Sequence, residues 1–532
     1  MKSHSSLVSP AICVLAGLAL SGLAQAQTFP RIKPLPEHWA TGSRAAARLA
    51  QPGSSPWQAL NNQPTFLSTS CYGAANPLLL TDGTVIIQDG GCSDWWRLTP
   101  DNTGSYVNGT WTQIASLPAG YAPLYHSSAV LPDGRLIIEG GEYNLFSAVW
   151  TNLGVIYDPL ADAWTPVNPP SGWNTIGDAQ SVVLPSGVFM QANCCTRGSA
   201  LLNPHDLTWK DTGFHKFDPN DEEGWNLLPN GLVLAVDAYV PIPPFSYHPN
   251  GTHSELYNPA TGDWSSAGST VVQLWDSAAA CGGLSVATFE LGPGVLRPDG
   301  TVFYMGANSC GAAHTSIYDS YAGTWTPGPD FPDALDIADG PAALEPNGKV
   351  LMMASPGFGL TPSTFLEWDG RSLTIVPGTP NAPNDSSFYG NMLVLPTGQI
   401  LLTDFSTDIE VYNPAPAWNL HYAPVVEHAP AGVTPGMTYD VIGYGFNGVS
   451  QGAAYGDDVQ AATNFPLVRI TNNKTGHVFY SRTHDHSSMA VASPELVKTH
   501  FDVTAGQELG DSTLEVVVNG VASQPVPVVV HN

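Results

Sequence analysis

One signal recurs along this chain and restricts its fold more than any other. An apolar run, a Pro-Asp-Gly-like turn and a second apolar run appear together seven times. They read LLLTDGTVIIQDGG at 78–91, AVLPDGRLIIEGG at 129–141, SVVLPSGVFMQA at 181–192 and NLLPNGLVLAVDA at 226–238. VLRPDGTVFYMGA at 295–307, ALEPNGKVLMMAS at 343–355 and LVLPTGQILLTDF at 393–405 complete the set. Each is a β-hairpin whose glycine takes the positive φ of the turn. Both strands are almost continuously apolar, as strands covered on two faces by neighbouring sheets must be.

A second hairpin follows most of these. It runs from Tyr157-Asp158-Pro159 to Trp164, from Asn203-Pro204 to Trp209, and from Tyr257-Asn258-Pro259 to Trp264. Tyr318-Asp319 to Trp325 and Tyr412-Asn413-Pro414 to Trp418 repeat it. Two hairpins make a four-stranded unit with a period of roughly fifty residues, the kelch value. Such units stack radially. The turn glycines 83, 134, 187, 231, 300, 348 and 398 predict a seven-bladed kelch-type β-propeller over 67–422. The repeat stops after Trp418, and 421–435 reads as a linker. Beyond it TYDVIGYGF, PLVRITN, GHVFYSRT, TLEVVVNG and PVPVVV alternate as short strands, predicting an immunoglobulin-like β-sandwich over 423–532. High glycine (53) and proline (47) with no helical periodicity make the whole chain all-β.

Lys2 and His4 precede an apolar run, Ala11 to Leu23, that ends in Ala24-Gln25-Ala26. This is the pattern of a cleaved export signal over 1–26, followed by an N-terminal segment over 27–66. The mature chain is then secreted or periplasmic, with no membrane span. A net charge of −28 repels phosphates and excludes nucleic acid as a partner. Export allows disulfides. Cys71 and Cys92 bracket one hairpin and Cys281 and Cys310 another, so 71–92 and 281–310 are the expected bridges. The adjacent Cys194 and Cys195 could pair, stay reduced or bind metal.

Seven such units and a terminal β-domain resemble the galactose oxidase and glyoxal oxidase family. The resemblance implies a copper ion on the propeller axis. It implies as ligands a radical tyrosine cross-linked to a first-blade cysteine, a last-blade Tyr-His pair, and a terminal-domain histidine. Tyr125, in Tyr125-His126-Ser127-Ser128-Ala129, stands nine residues before Gly134, where the radical tyrosine stands in the family. His484, in Ser481-Arg482-Thr483-His484-Asp485-His486, matches the terminal histidine. The sequence departs from the family elsewhere. Ala74 occupies the place of the cross-linking cysteine, and Phe388-Tyr389 the place of Tyr-His. The resemblance therefore implies Tyr125, Tyr389 and His484 as metal ligands. His126 would replace the missing imidazole only if its strand is bulged.

The residues themselves point to a second chemistry. The position nine before each turn glycine should sit where the innermost strand begins, at the channel mouth. It reads Ala74, Tyr125, Asp178, Glu222, Leu291 (beside Glu290), Asp339 and Tyr389. Crowded carboxylates raise one another's pKa or recruit a cation. Asp178, Glu222 and Asp339, with Tyr125, are thus the expected catalytic groups, either around a divalent cation or as an acid/base set. Asp178 and Asp339 would also suit backbone hydrogen bonding at a strand end. Asp221-Glu222-Glu223 would also suit a solvated loop. Three functions stay open: a metal-dependent oxidase of a carbohydrate or small alcohol, a carboxylate-based hydrolase or lyase, and a non-catalytic glycan- or protein-binding module.

Overall fold

A computed structural model describes residues 55–194, 196–213, 215–238, 251–277, 288–416, 421–459 and 461–532. The export signal, Cys195, Cys281 and Trp418 lie outside these residues. Among the described residues no helix is long and apolar enough to cross a membrane.

The seven turn glycines all have φ between 76° and 86°. Each hairpin forms the first two strands of a small antiparallel sheet. Six sheets have four strands, and the one that begins at Ala342–Leu344 has five. Their first strands, counted from the inside, are Ala74–Leu79, Ser127–Val130, Ser181–Val183, Trp225–Leu227, Gly294–Leu296, Ala342–Leu344 and Asn391–Val394. These strands touch in a row, from Ser127–Val130 through each successive sheet to Asn391–Val394 and on to Ala74–Leu79. A hydrogen bond between Asn76 Nδ2 and His126 Nε2 (3.2 Å) links the two ends. The result is an all-β, propeller-like ring of small sheets.

The second hairpins form as the sequence predicts. Tyr157 lies opposite Trp164, Tyr257 opposite Trp264 and Tyr318 opposite Trp325. Their ring centroids are 4.8, 5.4 and 5.0 Å apart, within the range of favourable aromatic pairs. The last sheet differs. Its outer strand is Trp57–Ala59, paired with Glu410–Tyr412, and Trp57 lies opposite Tyr412 at 5.1 Å. Part of the predicted N-terminal segment thus belongs to the ring. One sheet is built from both ends of the repeat region, so the chain holds the ring shut. Cys71 and Cys92 form the expected disulfide. Cys310 is also disulfide-bonded, with its expected partner Cys281 outside the described residues.

Residues 425–530 form a separate set of nine mostly antiparallel strands around Val441, Phe446, Val468, Ile470, Phe501 and Val516. The predicted linker contributes two of them, Val425–His428 and Gly432–Val433. Between Thr438–Tyr444 and Leu467–Asn472 the chain leaves this set and enters the ring. Gln451 Oε1 accepts from the Leu227 amide (2.8 Å), and Ala453–Ala454 pairs with Ala342 and Ala343. Tyr455 donates to the Phe388 carbonyl (2.8 Å). The chain then turns, and Thr463 donates back to the Gln451 carbonyl (2.8 Å). This axial hairpin lies against the inner strands and carries Tyr455-Gly456-Asp457-Asp458 at its tip.

Candidate metal centre

The tip of the axial hairpin meets the starts of the inner strands. Tyr125, Glu222 and Asp339 each have positive φ, at 50°, 54° and 42°. Such backbone costs on the order of 1–3 kcal/mol at a non-glycine residue and is kept where surroundings enforce it. Here it turns the chain into the strand. Gly456 packs so tightly on Asp339 and the Leu291 carbonyl that any side chain would collide with them.

Two groups of carboxylates result. The oxygens of Glu222, Glu290 and Asp339 lie within 4.8 Å of one another, and so do those of Asp178, Glu222 and Asp457. Glu222 belongs to both. Asp457 and Asp458 are buried, Glu290 is 8% exposed, and Asp178, Glu222 and Asp339 are half-buried at the opening. Glu290 lies close enough to Glu222 and Asp339 to share a proton with either. Yet Glu290 Oε2 has no hydrogen-bond partner, nor do Asp178 Oδ1, Asp339 Oδ1 and Asp458 Oδ2.

Burial is the main cause that raises these groups above the usual carboxylate range, and mutual repulsion adds to it. Asp178 is raised further by Asp457 and Asp458, Glu222 by Asp221 and Asp457, and Glu290 by Asp339 and Glu222. Asp458 is raised by Asp457 and Asp339. Asp457 is held at about 6. Glu142 is pushed to about 7 by burial and then by Asp457. Among the described residues, the charged groups that act most strongly on these acids are all acids.

The opposite side of the opening is aromatic. The Tyr125 ring lies 6.2 Å from Tyr143, 6.3 Å from Phe405 and 6.5 Å from Tyr455. Tyr389 touches the same Phe405 at 6.0 Å and packs on Phe388 at 4.3 Å. Tyr72 and Phe146 extend this surface into solvent, 52% and 45% exposed.

The structure therefore brings together Tyr125, Asp178, Glu222, Glu290 and Asp339, and sets Tyr389 at the same opening. It does not bring His484 there. Arg482 of the same strand donates to the Asp133 carbonyl (2.7 Å), and the His486 amide to that of Pro132 (3.1 Å). Both contacts are at the hairpin turn of the second sheet. Tyr125 stands at the other end of that hairpin's first strand, ~20 Å away at the usual rise of an extended chain. His484 is engaged by Asp485 and Asp502, at 2.8 and 3.3 Å, and stacks on His500. His126 does not replace it. It is buried beside Asn76, Gln88 and Trp95, and burial lowers it to about 4. Ala74 and Leu291 are packed in the core.

These placements decide the fit of copper. The resemblance implied two imidazoles and two phenols. Among the described residues the cluster offers carboxylates and phenols but no imidazole or thiolate. Oxygen-only donors suit hard cations such as Ca²⁺, Mg²⁺ or Mn²⁺. Burial and three neighbouring acids also raise the Tyr125 phenol well above its ordinary value, opposing a phenolate.

Sequence reasoning missed Asp457, Asp458, Tyr455 and Glu142. A signal for the first three existed: Gly445 to Asn464 is a long stretch without strand pattern inside a compact β-domain. Such stretches are commonly functional.

A third acidic group, Asp237, His253 and Glu255, already has its cation. The Lys216 ammonium lies 2.7 Å from Glu223, 3.2 Å from Asp237 and 3.3 Å from Glu255, fully buried.

No protein-family model matches the chain, and no curated protein does. Solved structures do. A fungal alcohol oxidase of the AA5 family in complex with copper is 13% identical, with 86% of this chain and 85% of that one covered, at a TM-score of 0.39. A streptogramin B lyase is 11% identical over 67% of this chain and 96% of that one, at 0.43. A virginiamycin B lyase from Staphylococcus aureus is 10% identical over 67% and 98%, also at 0.43. Likeness at this level says nothing of this chain's activity.

Proposed function

We propose that the ring is a seven-bladed kelch-type propeller with an immunoglobulin-like terminal domain, and that its opening holds a hard divalent cation on Glu222, Glu290 and Asp339. Through that cation the exported protein acts on a carbohydrate or small alcohol. The observation that carries this reading is Glu290, a nearly buried carboxyl that faces two more carboxyls and, among the described residues, no cationic side chain that acts on it. An isolated buried charge is strongly unfavourable, and a bound cation removes the penalty. A hard cation also binds and polarises hydroxyl oxygens. The rings of Tyr125, Phe405 and Tyr72 offer apolar faces on the other side, with phenol tips for hydrogen bonds. The Cys71–Cys92 bridge agrees with an oxidising compartment.

The test uses the full mature chain, stripped with chelator and titrated with Ca²⁺, Mn²⁺ and Cu²⁺. Tight binding of Ca²⁺ or Mn²⁺, abolished in Glu290→Gln, is expected. Neutral sugars and alcohols are then assayed for turnover with and without the cation. Copper binding with a phenoxyl-type absorption band, lost in Tyr125→Phe, would overturn the reading in favour of a copper oxidase.

A further inference from the structure

The second carboxylate group shares a member with the first and comes from different parts of the chain. Asp178 precedes the third inner strand, Glu222 precedes the fourth, and Asp457 is carried in by the terminal domain. We propose that Asp178, Glu222 and Asp457 hold a second divalent cation, so that the opening is a two-cation centre bridged by Glu222. This inference rests on the first group being a cation site.

Three observations support it. The ligand oxygens of Asp178, Glu222 and Asp457 lie within 4.8 Å of one another, the spread expected around one ion with oxygen ligands at 2.3–2.6 Å. Glu222 has two carboxylate oxygens and belongs to both groups, so it can give one to each ion. Beside Asp457, the side chain of Asp458 is fully buried with Oδ2 unpartnered, and Asp178 Oδ1 is likewise unpartnered.

Charge agrees with two ions. Glu142, Asp178, Glu222, Glu290, Asp339, Asp457 and Asp458 together would carry seven negative charges if all ionised. Two divalent ions would offset four of these charges. A neutral polyol whose neighbouring hydroxyls span the two ions would suit such a centre. Because Asp457 belongs to the terminal domain, the second ion also ties that domain's hairpin to the ring.

The experiment is metal stoichiometry on the full chain, by equilibrium dialysis with Mn²⁺ and elemental analysis, followed by electron paramagnetic resonance. Two Mn²⁺ per chain are expected, with a spectrum broadened by coupling between adjacent ions. Asp178→Asn and Asp457→Asn should each lower the count to one and restore a six-line spectrum. Glu290→Gln should also lower it to one, and Glu222→Gln should weaken both sites. One Mn²⁺ in the unaltered chain, lost in Glu290→Gln, would overturn this inference and leave the single-cation reading intact. Two ions whose number is unchanged in both Asp178→Asn and Asp457→Asn would also overturn it. No bound ion at all would sink the single-cation reading and this inference together.

Discussion

Glu222 and Glu223 are neighbours in sequence, yet they serve two acidic clusters of opposite design. Glu223 faces Lys216, which also meets Asp237 and Glu255. Burial opposes the Lys216 charge, but Asp237, Glu223 and Glu255 outweigh it and hold the ammonium protonated. Asp237 is correspondingly lowered by Lys216. Glu222 faces the axis, where the main groups acting on it among the described residues are further acids. The first cluster carries its own cation, although burial still raises Glu223 and Glu255. The second lacks one, so its acids stay protonated or wait for an ion from solution. Equal residue types thus become structure in one place and a candidate cation site in the other.

Removing the built-in cation should have the largest effect. Lys216→Met leaves several buried carboxyls unpaired and is expected to cost about 3–5 kcal/mol in denaturant unfolding. A loss under 1 kcal/mol would show that the cluster does not depend on its lysine. The axial cluster should respond to an added cation instead. Saturation with Ca²⁺ or Mn²⁺ to 100 times Kd should stabilise the chain by about 2.7 kcal/mol at pH 7, read as a rise in Tm, and chelator should reverse it. Unaltered Tm would remove the contrast between the clusters.

The pH dependence of the metal-free chain sharpens the same contrast. Carboxyls raised on folding hold protons that the unfolded chain releases, so stability falls as pH rises. With unfolded values near 4 and folded values of about 6 for Asp457 and about 7 for Glu142, the loss should span pH 4 to 7. Added cation should abolish most of this slope. Asp458→Asn should give a smaller gain of about 1 kcal/mol to the metal-free chain at pH 7, because it removes one buried repulsion while Oδ1 still accepts the Val459 amide. A destabilised Asp458→Asn would mean that its charge is already compensated. The smallest effect belongs to His484→Ala. Its pairs with Asp485 and Asp502 are partly exposed, so the cost should stay below about 1 kcal/mol and cation binding should not change. A loss of bound metal would return His484 to the site.

Much of this protein follows from local pattern. The turn glycines, the Tyr-Trp second hairpins and the terminal strands are short-range signals, and the structure repeats them. Counting back from each turn also located Tyr125, Asp178, Glu222, Glu290 and Asp339 at one opening, because equivalent positions of a repeat must share one end of the ring. What a repeat cannot show is what another part of the chain brings to it. Trp57 completes the last sheet across most of the sequence. Asp457 and Asp458 reach the axis only because the terminal domain sends its irregular segment in against the inner strands. The same docking puts His484 at the far end of the inner strands. Tertiary structure alone decided which acids meet, and whether Lys216 or a dissolved cation neutralises them, since burial and charge depend on neighbours that are distant in sequence.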